Sequence, residues 1–203
     1  MSSLLTLPGR VSALSLLALA DSGSISRVAN SLEKLGLTDF NDETTLDASG
    51  GAGPHITLAV FHREAGEARL KQLISLAGEW QEVLTADSNR GVLPLYFFCS
   101  EFLLCPGRLH LLVERIPDEE QRKQRQVIDS LEALAKDTPW LHPDKSPAAP
   151  HLTVSRSVPP NVLPRRILAP TLRITCPELA LVVATGEPYT ITAEYRFGGK
   201  SDC

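Results

Sequence analysis

A chain of 203 residues fits one large domain or two small, closely packed lobes, and it is long enough to bury a real core. Hydrophobic residues make up 43% and charged residues 22%, and the formal net charge is −4 with a sequence pI near 5.7. That balance describes an ordinary soluble globular protein without the dominant basic face that tracks long nucleic acid. It leaves room for a partner offering one or two phosphates, and neither long duplexes nor a membrane are expected.

The four cysteines (Cys99, Cys105, Cys176 and Cys203) form no C-x-x-C pair and no zinc-ligand spacing. Reduced thiols in a cytoplasmic protein are the expectation.

In chain order, the apolar run 11–20 ends Ala18-Leu19-Ala20, which superficially resembles a signal-peptide cleavage site. Its lead-in has no lysine, Pro8-Gly9 reads as a turn, and the run is too short to span a bilayer. A buried first strand is therefore expected. Ser24 is placed to cap a helix over 25–35, with Ile25, Val28, Leu32 and Leu35 as its apolar stripe and Gly36 at its C-terminal stop. The polar, Gly-rich stretch 38–53 reads as a surface loop, either a lid or an insertion.

A strand follows from His55 to Phe61, and then a helix over 66–84 with Leu70, Leu73, Ile74, Ala77, Trp80 and Leu84 on one side. Runs 92–104 and 109–115 flank the hairpin signal Cys105-Pro106-Gly107-Arg108. Pro117 and Asp118 open a charged helix to about 137, whose run 118–125 (DEEQRKQR) reads as a solvated face with i,i+4 pairs. The Pro-rich loop 142–150 leads into a strand at 151–156. Further strands are expected near 170–175, 179–184 and 189–197. The class is α+β, with no obvious place to divide residues 1–203 into independent domains.

Two of these strands share one arrangement: Pro54-His55-Ile56-Thr57-Leu58 and Pro150-His151-Leu152-Thr153-Val154. Strand alternation points His55 with Thr57, and His151 with Thr153, away from their apolar neighbours. One His-x-Thr carries almost no information, because threonine is common in strands and a lone strand histidine is usually structural. Two of them, each after a proline and each set in an apolar strand, are far more specific. Opening a cyclic phosphodiester needs a base for water and an acid for the departing sugar oxygen. Two imidazoles can hold opposite protonation states near neutral pH. Threonine hydroxyls on the same face can donate to the non-bridging oxygens where charge accumulates.

On these residues the chain resembles the 2H phosphoesterase superfamily, which is characterised by two His-x-(Thr/Ser)-x motifs. It is most similar to its bacterial 2′-5′ RNA ligase-like and cyclic phosphodiesterase members. The likeness runs through the first strand and helix, PHITL, the central run LPLYFFCSEFLLCPGRLHLLV and PHLTVSR. It implies a bilobal fold of two pseudo-symmetric lobes, with antiparallel sheets flanking a central cleft and helices outside. It also implies metal-independent, cofactor-free hydrolysis of a 2′,3′-cyclic phosphate, or a related phosphodiester, of a nucleotide or RNA end. His55 and His151 would be the acid–base pair, and Thr57 and Thr153 the phosphate-binding hydroxyls. Arg156 would be a further phosphate contact if the strand twists or ends there. The expectation leans to His151 as base. A non-catalytic nucleotide- or RNA-end-binding module, or ligase-like activity, is the alternative, and a monomer is expected.

Among lesser candidates, Trp140 and Tyr96 could stack on a base, while Phe98 is expected in the core. His110 sits on a polar strand face that could reach the cleft, with a solvated strand residue the favoured reading; His62 and His142 border loops and are expected to be exposed.

Overall fold

The computed structural model describes residues 11–40, 53–64, 67–85, 91–143, 149–185 and 190–198. It is an α+β structure built on strands β1 (Val11–Leu19), β2 (His55–Glu64), β3 (Leu95–Cys105), β4 (Arg108–Arg115), β5 (His142–Pro143), β6 (His151–Ser155), β7 (Arg165–Cys176), β8 (Glu178–Thr185) and β9 (Thr190–Gly198). The helices are α1 (Ser22–Lys34), α2 (Glu67–Thr85) and α3 (Asp118–Lys136), and Thr38–Phe40 forms one 3₁₀ turn. Most of the 38–53 loop, residues 41–52, lies outside the described residues.

Every strand pair is antiparallel, in the order β7-β3-β4-β6-β2-β1-β8-β9, with β5 pairing β2. The expected two sheets are thus one path of two four-stranded halves. Among the described residues a single pair, Ile56 with Leu152, joins them where β2 meets β6. In chain order a strand and then a helix precede each His-x-Thr strand, β1 and α1 before β2 and β4 and α3 before β6, although α1 itself packs against β7 of the opposite half.

The alternation of the strands decides which side chains are buried. Leu95, Phe97 and Cys99, and beyond a bulge Phe102 and Leu104, lie in the core, as do Leu109, Leu111, Ile56, Leu152, Val154, Leu14, Leu16 and Leu181. Phe97 therefore fills the core place expected for Phe98, which is half-buried on the other face. The helices bury Val28 and Leu32 of α1, Leu73, Ala77, Trp80 and Leu84 of α2, and Val127, Leu131 and Ala135 of α3 against that core.

Helix α1 is capped by Asp21 rather than Ser24: the Asp21 carboxylate accepts the Ser24 N–H at 2.6 Å. Its C-terminus closes in a Schellman arrangement, with the Leu37 N–H on Leu32 O and the Gly36 N–H on Glu33 O, and Gly36 at φ 65°. The Ser24 hydroxyl has another task. It accepts the Thr175 N–H at 2.8 Å, while Asp21 N–H donates to Thr175 O and Arg27 Nη2 donates to Arg173 O, each at 2.9 Å. The start of α1 thereby covers the outer edge of β7, an end strand of the sheet.

On α3, Lys123 pairs with Glu119 at 3.5 Å and Arg125 with Asp129 at 3.1 Å, as a solvated face should. Glu120 and Gln124 are buried exceptions within that run. Glu120 accepts the Tyr96 N–H at 3.0 Å and is paired with Lys123 at 3.0 Å.

One glycine is fixed by space as well as by backbone. Gly198 ends β9 at φ 94°, and a Cβ there would strike Leu93 and come within 2.9 Å of the Pro177 carbonyl oxygen. Gly198→Ala should cost about 1–3 kcal/mol in a urea titration, from strain plus steric displacement.

Candidate active site

His55 is the first residue of β2 and His151 the first of β6. Antiparallel pairing about Ile56 and Leu152 sets His55 against Thr153 and Thr57 against His151 across the junction. Ile56 and Leu152 are fully buried on one face, and alternation leaves the two histidines and two threonines together on the other, all half-buried.

Both imidazoles are held in the same way. His55 Nδ1 lies 2.9 Å from the Gly53 carbonyl oxygen and His151 Nδ1 lies 2.8 Å from that of Ala149, each two residues back. A carbonyl oxygen only accepts, so Nδ1 is the protonated nitrogen in each ring. Nε2 is the ring nitrogen that can exchange a proton in each.

The flanking strands repeat this symmetry and then break it. In one half Leu19 pairs with His55 and Leu17 with Thr57; in the other Leu112 pairs with His151 and His110 with Thr153. His110 therefore occupies the place that Leu17 holds in the first half. Its ring centroid is 4.2 Å from that of His151 with the planes at 70°, and its Nδ1 is 3.4 Å from Thr153 Oγ1. The expectation of a solvated strand residue is corrected. Alternation gave the face of His110, but the sequence does not say that β4 lies beside β6.

Burial is the main force on both unusual imidazoles. It lowers the His55 pKa, an effect reinforced by the charges of Arg156 and His151 and opposed by the Gly53 carbonyl and by Glu194. The neighbouring Leu17 and Leu19 are almost wholly buried, which accounts for the dry surroundings. Burial, then the charges of His151, Arg108 and Arg156, push His110 down to about 4.

Arg156 is exposed one residue beyond the end of β6, so strand alternation no longer dictates its direction. Its charge acts on both His55 and His110.

The chain is similar in structure to a solved phosphoesterase. That likeness has 13% identity and a TM-score of 0.47, covering 95% of this chain and 99% of the other. Escherichia coli LigT complexed with NADP+ matches at 12% identity and TM-score 0.47 over 92% of this chain and 98% of that one. TT0787 of Thermus thermophilus matches at 16% and 0.47 over 93% and 99%. No protein-family model and no curated protein sequence matches.

The two expected stacking residues lie differently. Tyr96 carries the Arg173 guanidinium 5.3 Å from its ring centroid, so one face of the ring is already covered. Trp140 packs part-buried against the core just before β5. Strand β5 pairs with Phe61 and His62, six and seven residues along β2 from His55, or about 20 Å of strand. Trp140 thus stands at the far end of β2 from the histidines. His62 and His142 are partners in that same pairing, and their side chains lie outside the described ones.

Among the described residues no group of three or more His, Cys, Asp or Glu side chains is placed to hold a metal ion. Among them too, no helix is long and apolar enough to cross a membrane. Cys99, Cys105 and Cys176 are free thiols, with Cys99 pushed up to about 12 and Cys176 also raised, both by burial.

The depressed His110 pKa has a consequence for stability. Between the ordinary value of about 6.5 and about 4, the unfolded chain binds the proton and the folded chain does not, so stability rises with pH across that window. Allowing for screening at a half-exposed ring, His110 should account for on the order of 1–2 kcal/mol lost as pH falls from 6.5 to 4. Urea titrations of wild type and His110→Asn at both pH values isolate it: the pH dependence should be shallower in the variant.

Proposed function

We propose that this chain is a phosphoesterase that opens a 2′,3′-cyclic phosphate, or a similar small phosphodiester, of a nucleotide or RNA end, by acid–base chemistry between His55 and His151. The observation that carries the reading is the meeting of the two His-x-Thr segments at one strand pair, each imidazole anchored through Nδ1 on a carbonyl oxygen two residues back.

In this reading His55 is the base. Its lowered pKa keeps the ring neutral at working pH, which reverses the expectation that His151 takes that part. His55 Nε2 takes a proton from water as the water oxygen bonds to phosphorus. One ring P–O bond breaks, and His151 donates its Nε2 proton to the departing sugar oxygen. Thr57 and Thr153 donate to the non-bridging oxygens, and Arg156 supplies positive charge at the open side. No metal or cofactor takes part, and proton exchange with solvent restores both rings. A small phosphate-bearing partner, rather than a long duplex, fits the net charge of −4. A monomeric state and a cytoplasmic location belong to the same proposal, the latter supported by the free thiols.

The test is a panel of 2′,3′-cyclic mononucleotides, a short RNA ending in a cyclic phosphate, and ADP-ribose cyclic phosphate, each assayed with chelator present. Ring opening of at least one is the expected result. Binding of a 2′-phosphonucleotide with no turnover of any panel member would replace the enzyme by a binding module. A joined product from the RNA would move the reading to ligation.

A further inference from the structure

We propose that His110 is a positioning residue for the Thr153 hydroxyl: its Nδ1–H donates to Thr153 Oγ1, so that the one hydroxyl proton is left for a phosphate oxygen. The inference rests on the proposed function, in which Thr153 binds the phosphate. Three observations carry it.

The first is the atom pair. A contact of 3.4 Å between His110 Nδ1 and Thr153 Oγ1 is at the long end for a hydrogen bond, and catalytic contacts commonly tighten only when substrate is present. A threonine hydroxyl has one proton and two lone pairs. If the ring accepted, that proton would be held by His110, and Thr153 would face a phosphate oxygen with lone pairs alone. Donation by the ring avoids the clash of acceptors.

The second is the broken symmetry. Leu17 stands beside Thr57 at the place corresponding to His110 beside Thr153, and Leu112 and Leu19 match at the other flanking position. The halves agree in their histidines, threonines and carbonyl anchors, and differ at this one flanking residue. Packing alone is satisfied by leucine at that place, so an imidazole calls for a polar reason.

The third is charge. The groups facing His110 are Arg108 on its own strand, and His151 and Arg156 from β6 and its end. On β3 the partner is apolar Leu103, and Glu101, two residues away, is paired with Arg166 at 3.1 Å. No free carboxylate is among these to hold a proton on the ring, and burial opposes its charge. A neutral ring has only one N–H, and the Thr153 contact puts it on Nδ1.

The experiment compares His110→Leu, which copies the other half, with His110→Asn, whose amide can place an N–H where Nδ1 stands, and His110→Gln, which reaches to the Nε2 position instead. On the best substrate of the panel, His110→Leu and His110→Gln should lose about 10–100-fold in kcat with little change in KM, and His110→Asn should recover most of it. In a Thr153→Val background the His110→Leu loss should vanish, since the effect passes through the hydroxyl. Equal activity of the leucine and asparagine variants, or an undiminished loss in the Thr153→Val background, would overturn the proposal. Nitrogen-15 NMR of the imidazoles gives a readout free of turnover: His110 should be the neutral Nδ1–H tautomer at pH 7, and a bare Nδ1 would also overturn it. If no panel member is hydrolysed while the tautomer is as stated, the failure lies with the proposed function and not with the His110–Thr153 bond.

Discussion

Ring opening of the best cyclic phosphate should fall about 10²–10⁴-fold in His55→Ala and again in His151→Ala, with unchanged folding by circular dichroism. The double variant should be little worse than either single one, because base and acid act in one proton transfer sequence and their losses do not multiply. The pH profile separates the two. Wild type should be bell-shaped, with the acid limb below the ordinary histidine value of about 6.5, because burial beside Leu17 and Leu19 disfavours the charged ring of His55. In His55→Ala the residual rate should lose that limb. Full activity of His151→Ala on the true substrate would sink the mechanism.

Trp80→Ala should be severely destabilising. Trp80 on α2 meets Phe61 on β2 edge to face, ring centroids 5.3 Å apart at 80°, and both are 1% exposed. Truncation leaves a cavity that rigid neighbours cannot fill and removes the aromatic pair, at a cost of about 3–5 kcal/mol. Urea titration should show a lower midpoint with an unchanged slope. Because Phe61 is six residues along β2 from His55, the molecules that remain folded should keep their activity. A loss below about 1 kcal/mol would mean that α2 does not clamp this end of β2.

The order of strands and helices was readable from periodicity, because burial on one side imposes it. What the sequence withheld depends on neighbours distant in the chain. Ser24 was a sound cap by type, yet its hydroxyl is taken by Thr175, so Asp21 serves instead. Strand β7 begins at Arg165, five residues before the expected start, because an end strand tolerates Pro170 where an inner one would not. Phe98 and Phe97 are adjacent and chemically identical, and only the pairing of β3 decides which is buried.

At the candidate site the four His-x-Thr side chains were legible because the motif occurs twice. For His110 alternation gives only a polar face; the choice between solvent and cleft is decided by β4 being next to β6, two strands separated by a 19-residue helix. Trp140 precedes the short β5, whose pairing with Phe61 and His62 of β2 is too brief to leave a periodic signal.

The turn from β1 into α1 has one more effect. An end strand offers a row of amides and carbonyls on which any passing extended chain can build. Along Arg173 and Thr175 that row is occupied by Asp21, Ser24 and Arg27, and Pro170 has no N–H to offer farther on. The same few residues that start the first helix therefore act as a stopper against runaway sheet growth, the route by which a concentrated preparation of a β-rich protein is lost to aggregate.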